Sequence, residues 1–385
     1  MNVLCKKIDL LKGMQAVLPV ALSYQNKKIF SILSNFVFKV TANNNIELSA
    51  TNFESSIKYF IPNNNIIKSG QIILPAKKFY DIVRTMSNTD IIEITISDTN
   101  KLNIKTDKTQ FNLLGITKAE YPDIPDFPKE NNLIINKLNL LDAFKKTMFS
   151  MSVDLQQNIL NSTYLVIKNG ILEIVTTDAR RLAYIKIAHL NTSTNMYQDH
   201  GIIVPSKAIH EIVRLLSLDL NSINVALCFI KNQLAIKSNN MIFLATLISG
   251  NYPNYKQIIP EKETLNFKVK LPVKNTLHIM KQMTILTGDK ICIKDLSIIN
   301  LYFNKGICTI SASTSGLGFG ESKISIDYYG KPVKISCNPH FIKDVLQNIE
   351  DLFIIFALSV NLKPIVLYSE TNTNYLYVIM PMKAI

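Results

Sequence analysis

The sequence has few cysteines and lacks the short motifs that accompany common catalytic and nucleotide-binding sites. Its five cysteines include no CxxC pair, so they provide no zinc template and fit a reducing compartment. The patterns GxxxxGKS/T, HExxH and GxSxG are absent. No ligand spacing relates the histidines, which are His189, His200, His210, His278 and His340. We therefore expect a protein that is not an enzyme and that uses no metal or cofactor.

Signals for export and membrane insertion are also missing. Residues 1–7 lack the apolar core of a signal peptide. The longest apolar run, residues 352–358, is far too short to cross a bilayer as a helix. These absences predict a cytoplasmic protein without a membrane partner.

Length and charge set the broad class. A chain of 385 residues is too long for one hydrophobic core and indicates two or three domains. The formal net charge of +13 and the isoelectric point near 9.3 favour polyanionic partners. Charge of this kind bears on association and says nothing about the fold.

A polar turn at residues 176–181 is the most informative local feature. Alternating runs at residues 172–175 and 184–187 predict two strands of a half-buried sheet on either side of it. Asp178 can hydrogen-bond the backbone of such a turn. Taken alone, the pattern fits a polar hairpin in which Arg180 and Arg181 are solvated. A salt bridge within the hairpin is a better interpretation than an acid–base site, because no partner carboxylate or nucleophile accompanies Asp178.

The surroundings of this turn occur three times along the chain. Amphipathic helices are predicted at residues 8–22, 138–151 and 273–286. A second helix, with proline in its first turn, is predicted at residues 74–84, 204–214 and 338–346. The interval between turn and second helix is similar, at 23, 27 and 24 residues (51 to 74, 177 to 204 and 313 to 337). Three ordered matches in register indicate an internal repeat.

Proline-rich segments separate the three copies. Residues 121–128 contain three prolines, which neither a helix nor a central strand accepts, and residues 251–260 are similar. We predict three tandem α+β domains at residues 1–128, 129–252 and 253–385, each with two helices packed on antiparallel sheets. Gly316, Gly318 and Gly320 lie in a strand-rich stretch and indicate a turn or bulge, not a nucleotide-binding loop.

The domain plan, the turn and the last predicted strand together carry a family resemblance. The Thr-Asp-x-x-Arg-Leu turn at 177–182 and the ending Tyr-Val-Ile-Met-Pro-Met at 377–382 resemble the bacterial sliding-clamp family, the β subunits of DNA polymerase III. Residues 74–79, 149–151 and 252–255 also match family positions, so the resemblance covers essentially the whole chain. It implies DNA-clamp domains in a head-to-tail homodimer, a ring with helices inside and sheets outside that encircles double-stranded DNA.

The resemblance implies that basic side chains on the inner helices face DNA. Their affinity must be low, because tight phosphate contacts would stop sliding. The candidates are Lys27, Lys28, Lys77, Lys78, Arg84, Lys145, Lys146, Lys207, Arg214 and Lys281. Solvated helix faces are the alternative interpretation of each one.

The resemblance also implies an apolar pocket for short peptides of partner proteins. The implied partners are the clamp loader, the DNA polymerase III catalytic subunit and other proteins with clamp-binding motifs. The implied pocket residues are Leu160, Thr177, Ala179, Arg180, Arg181, Leu182, Pro253, Gln257, Ile258, Pro364, Val378, Ile379, Met380, Pro381 and Met382. Flexible methionines suit a surface that accepts several peptides. Part of the ending also fits a plain core strand.

Dimer contacts are implied between the first and third domains. They place Lys78, Phe111 and Leu113 against Ile285 and Leu286. Loading onto a DNA circle would require an ATP-driven loader, because the chain has no phosphate-binding loop of its own.

The chain departs from the family pattern at several positions. Ala179-Arg180 stands where the family usually has Gly-His, which adds a charge at the pocket rim. Gln157 stands where an arginine that touches DNA is common, so that contact is in doubt. The chain extends to Ile385, slightly further than usual, and it is basic where many relatives are acidic.

Two other classes of function stay open at this point. One is a monomeric basic module that binds nucleic acid openly, and the other is an enzyme whose site is assembled across domains. Solution mass separates them from a ring, which requires a dimer near twice 43.5 kDa.

Overall fold

The computed structural model describes residues 1–23, 31–41, 44–88, 90–96, 100–116, 121–129, 132–168, 170–188, 191–192, 201–230, 232–287, 297–314, 317–358, 363–372 and 374–383. These residues form two compact units. Unit 1 comprises Met1–Leu138, Asn191–Met196 and His210–Leu247, and unit 2 comprises Asn139–Leu190, Tyr197–Ile209 and Ile248–Ile385. Within the described ranges, no helix has the length and apolar character needed to span a membrane.

Six α-helices lie in the described part of the chain. They are α1 (Lys7–Leu22), α2 (Ala76–Thr85), α3 (Lys137–Met148), α4 (Ser206–Leu218), α5 (Val273–Thr287) and α6 (Pro339–Gln347). All six predicted helices are confirmed, with one correction to their starts. Pro75 and Pro205 end strands and immediately precede α2 and α4, whereas Pro339 opens α6. Proline suits both places, because a residue just before a helix or at its first position needs no N–H group for a hydrogen bond within the helix.

Unit 1 contains two antiparallel sheets. Its strands are β1 (Asn2–Lys6), β2 (Asn35–Thr41), β3 (Asn45–Thr51), β4 (Ser55–Pro62), β5 (Ile66–Lys68), β6 (Gly70–Pro75), β7 (Ile91–Ile96), β8 (Lys101–Lys105), β9 (Gln110–Leu114), β10 (Leu133–Asn136), then, further along the chain, β14 (Asn191–Thr192), β16 (Asn224–Ile230), β17 (Gln233–Lys237) and β18 (Met241–Thr246). The orders are β5-β1-β7-β8-β9 and β14-β10-β16-β17-β18-β4-β3-β2-β6.

Unit 2 also contains two antiparallel sheets. Its strands are β11 (Ser162–Lys168), β12 (Ile171–Thr177), β13 (Arg181–Ile187), β15 (Gly201–Pro205), β19 (Phe267–Pro272), β20 (Ile299–Asn304), β21 (Ile307–Thr314), β22 (Gly318–Ser325), β23 (Val333–Cys337), β24 (Phe353–Leu358), β25 (Ile365–Ser369) and β26 (Tyr375–Ile379). The orders are β15-β11-β12-β13-β26-β25-β24-β19 and β22-β21-β20-β23.

Phenylalanines on alternate positions of β2 show why helices cover one face of the sheet. Phe36 and Phe38 are fully buried and lie two residues apart, so both point to the same face. The ring of Phe79 on α2 lies 5.4 Å from Phe36 and 5.9 Å from Phe38. Each such burial stabilises the fold by about 1.5–3 kcal/mol, which holds α2 on this face.

In each unit, strands from two of the predicted domains share one sheet. In unit 1, β4 pairs with β18, with Ile57 opposite Phe243. In unit 2, β13 pairs with β26, with Leu182 opposite Val378. The two junctions are equivalent in the repeat, because each joins the strand after the polar turn to the last strand of the following domain. Strand pairing therefore continues across the boundaries suggested by the proline-rich segments.

Candidate functional site

The turn between β12 and β13, residues 177–181, is held by its own side chains. Thr177 Oγ1 donates to the carbonyl of Arg181 at 2.6 Å and accepts from the amide of Ala179 at 3.1 Å. Asp178 Oδ1 accepts from the amides of Arg180 and Arg181 at 3.0 and 2.9 Å. The predicted bonding of Asp178 to its own turn is confirmed, and the geometry of the turn is encoded locally.

The first domain contains the same turn, which supports the internal repeat. Thr51 Oγ1 accepts from the amide of Phe53 at 3.2 Å, and Asn52 Oδ1 accepts from the amide of Ser55 at 2.6 Å. The third turn residue has positive φ in both copies, 68° at Phe53 and 69° at Ala179. The repeat thus preserves backbone conformation even where the side chain differs.

Ala179 adopts a backbone conformation that glycine favours. A non-glycine residue in this left-handed region costs the folded state roughly 1–2 kcal/mol of strain. Glycine avoids that strain, but the greater entropy of its unfolded chain lowers stability by about 0.5–1 kcal/mol. We expect Ala179→Gly to stabilise unit 2 by up to about 1 kcal/mol, raising the unfolding midpoint by about 2–4 °C at most. Scanning calorimetry measures this shift.

The control for this substitution is Ala188→Gly. Ala188 is exposed and is not among the described non-glycine residues with positive φ. The control variant should be neutral or less stable than the parent. A midpoint that falls in Ala179→Gly as much as in Ala188→Gly would show that the turn stores no strain.

Arg181 is the structural centre of the turn. Its Nε donates to Asp178 Oδ2 at 2.7 Å, its Nη1 to Asp344 Oδ2 at 2.6 Å and its Nη2 to the carbonyl of Phe149 at 2.6 Å. Its guanidinium carbon lies 4.7 Å from the centre of the Phe341 ring. The side chain is only 10% exposed, so the interpretation of two solvated arginines is wrong for Arg181. It ties the turn to the end of α3 and to α6.

An apolar cluster lies beside the turn. Val175, Leu182, Tyr255 and Val378 form its buried part. The partly buried side chains packed against it are Tyr164, Tyr184, Tyr252, Ile258, Ile259 and Leu376. Three of the predicted pocket residues, Leu182, Ile258 and Val378, therefore meet in this apolar cluster.

Glu173 fastens the second proline-containing segment, residues 251–260 (the linker), to the sheet. Its two carboxylate oxygens accept from Tyr184 Oη at 2.7 Å and Tyr255 Oη at 2.6 Å. Burial alone would raise the pKa of Glu173, but the two phenol donors and nearby lysines hold that pKa below its usual value. Tyr164 stacks on Tyr252 with ring centres 4.8 Å apart. The linker is therefore held at both tyrosines.

Residues 380–383, the described tail, continue from β26 along the turn. The amide of Met380 donates to the carbonyl of Arg180 at 2.9 Å, and the amide of Met382 donates to the carbonyl of Ser336 at 2.8 Å. Met380 is 41% exposed, and Pro381 and Met382 are half-buried. The tail is therefore fixed to the protein while part of its apolar surface faces solvent.

The other predicted pocket residues differ in exposure. Thr177 is buried within the turn, Ala179 and Arg180 are exposed, and Leu160 and Pro364 are half-buried. Pro253 and Gln257 are exposed on the linker. Ile379 is 0% exposed, and strand alternation turns it to the opposite face from Val378. The geometry does not support Ile379 as part of the apolar cluster, although it carries the backbone that positions Met380.

The predicted basic residues do not all present free charges. Arg214 donates to the carbonyls of Gln15 and Ala16 at 2.8 Å each and pairs with Glu211. Lys146 pairs with Asp142 at 2.7 Å. The exposed members are Lys77, Lys78 and Arg84 on α2, Lys145 on α3, Lys207 on α4 and Lys281 on α5. Lys27 and Lys28 lie outside the described residues. Arg214 and Lys146 therefore fit neither free DNA-facing charges nor solvated helix faces, because groups within the protein already engage them.

Three of the predicted dimer residues lie on or against strands that end their sheets: Phe111 and Leu113 on β9, and Leu286 against β22. In unit 1, Phe111 and Leu113 are on β9, the last strand of its sheet, and Lys78 is exposed on α2. In unit 2, Ile285 is 75% exposed at the end of α5, and β22 is the last strand of its sheet. Sequence reasoning missed the exposed Leu317 and Phe319 beside and on β22. The alternation of these two residues is visible in the sequence, but the position of β22 at the edge of its sheet is not.

The predicted turn at the glycine-rich stretch is confirmed within the described residues. Leu317 closes a turn by donating from its amide to Thr314 at 3.1 Å, and Gly318 has a φ of 133° where β22 begins. Gly316 lies outside the described residues. Among the described side chains, no group of three or more histidine, cysteine, aspartate or glutamate residues could hold a metal ion.

Family comparison covers nearly the whole chain. Models of the N-terminal, central and C-terminal domains of the DNA polymerase III beta subunit match residues 1–125, 134–254 and 256–383. The chain is 24% identical over 375 residues to the beta sliding clamp of Chlamydia muridarum, covering 97% of this chain and 96% of that one. It is 25% identical over 377 residues to the beta sliding clamp of Pseudomonas aeruginosa, covering 97% of each.

Solved structures show the same fold. The DNA polymerase III subunit beta of Pseudomonas aeruginosa matches with a TM-score of 0.89 at 24% identity, and both chains are covered completely. The DNA polymerase III beta subunit of Thermotoga maritima matches with a TM-score of 0.86 at 19% identity, again with complete coverage of both chains. Because the three domain models match in order along almost its full length, this chain belongs to the DNA polymerase III beta subunit family.

Proposed function

We propose that this chain is a DNA sliding clamp. Two copies close head to tail around double-stranded DNA and tether the DNA polymerase III catalytic subunit, which supplies the polymerase activity. The clamp itself catalyses no reaction, uses no cofactor and works in the cytoplasm. Family membership along nearly the whole chain supports this function, as does the name beta sliding clamp of its relatives.

The observation that carries the proposal is a pair of sheet edges that no described strand covers. β9 ends a sheet built from the first domain, and β22 ends a sheet built from the third. Exposed edges of this kind invite pairing with another chain, and natural proteins normally block them. Here they instead bear exposed apolar side chains, Phe111 and Leu114 on β9 and Phe319 on β22. Antiparallel pairing of β9 of one copy with β22 of the other would satisfy both edges.

A head-to-tail arrangement uses two different surfaces, so two copies must form two such contacts to close. We assign Phe111, Leu113 and Lys78 to one side of the contact and Ile285 and Leu286 to the other. The domains divide at 128/129, at the end of the first proline-containing segment, and at 252/253, within the second. Each copy then contributes three domains to the ring.

DNA is held by weak, non-specific contacts to phosphates. The exposed lysines and arginines on helices, namely Lys77, Lys78, Arg84, Lys145, Lys207 and Lys281, supply them. Arg214 and Lys146 contribute less, because internal carboxylates and carbonyls already occupy their donors. A limited number of phosphate contacts favours sliding over tight binding.

Partner peptides dock on the apolar cluster, the turn and the tail. The clamp loader, the catalytic subunit and other partners with clamp-binding motifs share this site. The cluster offers apolar surface at Ile258 and Leu376, and the tail adds the exposed part of Met380. An anchor such as leucine or phenylalanine gains about 1.5–3 kcal/mol when it is fully buried there.

The proposed function predicts topological retention on DNA. Protein loaded by an ATP-driven loader onto a nicked circle should stay bound through moderate salt, then depart when a nuclease linearises the circle. A closed ring leaves DNA only by opening or by sliding off an end. A protein bound by contacts alone loses affinity steeply with salt and does not sense whether DNA has ends. Gel filtration of the DNA before and after cleavage measures retention.

Linear DNA of the same sequence is the control. Equal loss from circular and linear DNA would favour the open-binding monomeric module over the ring. Sedimentation supplies an independent check, because the ring requires twice the 43.5 kDa chain mass.

A further inference from the structure

We propose that a cleft on the larger sheet of unit 1 binds a nucleotide, either free or at the end of a nucleic-acid strand. The cleft has a volume of about 420 Å³, within the range of small-molecule sites, about 300–1,000 Å³. It lies between residues 127–134 and strands β16 and β17, all of which belong to unit 1. None of the residues assigned above to DNA, partner peptides or the second copy lines it.

The first proline-containing segment, residues 121–128, forms one wall of the cleft. Phe127 packs against the buried cluster on β16, β17 and β18, and Asp126 pairs with the buried Lys58 on β4 at 2.5 Å. The chain then enters β10, where Ile134 lies opposite Ala226 of β16. The wall is therefore fixed to the sheet at its start, and the cleft is the space between this wall and β10, β16 and β17.

Two lysines give the cleft a positive charge. Lys129 and Lys237 both line it and are both exposed. The Nζ of Lys237 lies 5.7 Å from the centre of the Phe127 ring, a contact that uses the charge of the ammonium group but none of its N–H groups as hydrogen-bond donors. No acidic residue is among the described residues that line the cleft. Lysines placed in this way favour a phosphate, which accepts charge-assisted hydrogen bonds.

Side-chain amides add hydrogen-bonding groups. Asn132 Nδ2 donates to the carbonyls of Pro128 and Lys129 at 3.2 Å each, whereas its buried Oδ1 accepts no hydrogen bond. A buried acceptor without a donor is costly and calls for a partner. A sugar hydroxyl or a base amino group would supply one. Asn224 and Asn239 line the cleft and are exposed, and amides of this kind bond the edges of bases.

The remaining lining is apolar. Ile134, which is 41% exposed, lies beside Val225 and Ala226 in the cleft. A bare anion would engage the lysines and leave this surface and the Asn132 acceptor unused. A nucleotide carries a phosphate, hydrogen-bond donors and a flat base in one molecule, so it matches all three parts of the lining.

The internal repeat shows that the fold itself does not require this chemistry. The carbonyls that accept from the first amide of α3 and of α5 align β16 with β24, and strand pairing extends the alignment to β17 and β25. Phe353 and Tyr368 of unit 2 then occupy the places of Asn224 and Lys237. Because the repeated strands fold with aromatic residues at these places, the polar lining of unit 1 supports a role in binding.

Isothermal titration calorimetry of the full-length protein at low salt tests the proposal. The probes are adenosine monophosphate, adenosine and inorganic phosphate. Adenosine monophosphate should bind at least about tenfold tighter than either of the others, because only it engages the lysines and the remaining lining together. Its affinity should fall as salt screens the two lysines.

Variants assign the binding to the cleft. Lys129→Ala together with Lys237→Ala should weaken the binding of adenosine monophosphate about tenfold or more. Lys68→Ala is the matched control, because Lys68 is an exposed lysine on β5, in the other sheet of unit 1, and this variant should bind as the parent does. Circular dichroism establishes that each variant is folded.

Oligonucleotides distinguish the two sources of the ligand. A short deoxyadenylate with a 5′-phosphate is compared with the same strand without it. A phosphorylated strand that binds tighter than adenosine monophosphate, with the gain lost in the double variant, assigns the cleft to strand ends. Weaker binding of the phosphorylated strand assigns the cleft to free nucleotides.

Three results would overturn the proposal. They are the absence of binding at millimolar adenosine monophosphate, equal affinity for inorganic phosphate, and an affinity that the double variant changes no more than Lys68→Ala does. None of them bears on the proposed clamp, because the cleft shares no residue with the surfaces assigned to that function.

Discussion

Replacing Ile285 and Leu286 together with alanine is expected to shift the protein from dimer to monomer at micromolar concentration. Ile285 is 75% exposed in the single chain, so this large apolar side chain has surface to bury in a partner. Leu286 lies against β22, with its Cδ1 only 2.5 Å from where a Cβ on Gly320 would stand. The pair therefore joins the end of α5 to the strand that ends its sheet.

The expected effect on dimer affinity is large, because the substitutions remove two apolar side chains from the centre of the proposed contact between copies. Truncating a buried leucine or isoleucine costs about 2–5 kcal/mol in a protein core, and central interface residues reach at least about 2 kcal/mol each. A loss of about 2.8 kcal/mol raises the dissociation constant about a hundredfold. Sedimentation velocity over a concentration series measures the change.

Leu352→Ala provides a matched control. Leu352 is exposed in the same unit. Its carbonyl accepts from the amide of Val273 at the start of α5, the opposite end of that helix from Ile285, so the variant should remain dimeric. The double variant should also lose retention on circular DNA, because an open chain cannot be trapped. An unchanged dimer in the double variant would reject the assignment of this surface.

Deleting residues 380–385 is expected to weaken partner-peptide binding at least tenfold and to leave the dimer intact. β26 ends at Ile379, so the deletion removes no strand. It does remove the two backbone hydrogen bonds that hold the tail against the turn and Ser336. With them goes the exposed apolar surface of Met380 beside Arg180. Losing one wall of the site should cost about 1.4 kcal/mol or more of binding free energy, which corresponds to the expected tenfold rise in the dissociation constant.

Fluorescence polarisation with a labelled polymerase C-terminal peptide measures this effect. Deleting only residues 384–385 is the control. This variant ends at Lys383 and keeps the described tail, so its affinity for the peptide should not change. Unchanged affinity after the longer deletion removes the tail from the site. Loss of the dimer would show that the tail also supports the contact between copies.

Local pattern determined much of the architecture in advance. The alternation on both sides of residues 176–181 predicted β12 and β13, and proline positions located the start of the second helix of each domain to within two residues. These features depend on side-chain periodicity and on backbone chemistry of near neighbours, which the sequence displays directly. The same holds for the turn, where Thr177 and Asp178 bond atoms two to four residues away.

The resemblance supplied the residues of the proposed peptide site, and the fold decided which of them are exposed and which way each side chain points. Leu182 and Val378 lie opposite each other in one ladder although nearly two hundred residues separate them. Ile379 is adjacent to Val378 in sequence and faces the other way. A residue type compatible with a pocket could not reveal this difference, because it depends on the register of two distant strands.

The sequence by itself determined three similar α+β domains, their helices and strands, and the family to which they belong. Only the tertiary structure decided which charges are internal and which edges are open. Arg181 is occupied because Asp344 and the Phe149 carbonyl reach it from distant segments, and β9 and β22 end their sheets because of the order in which strands pair. Such contacts arise from packing between elements far apart in the chain, whereas periodicity records only the local alternation of faces.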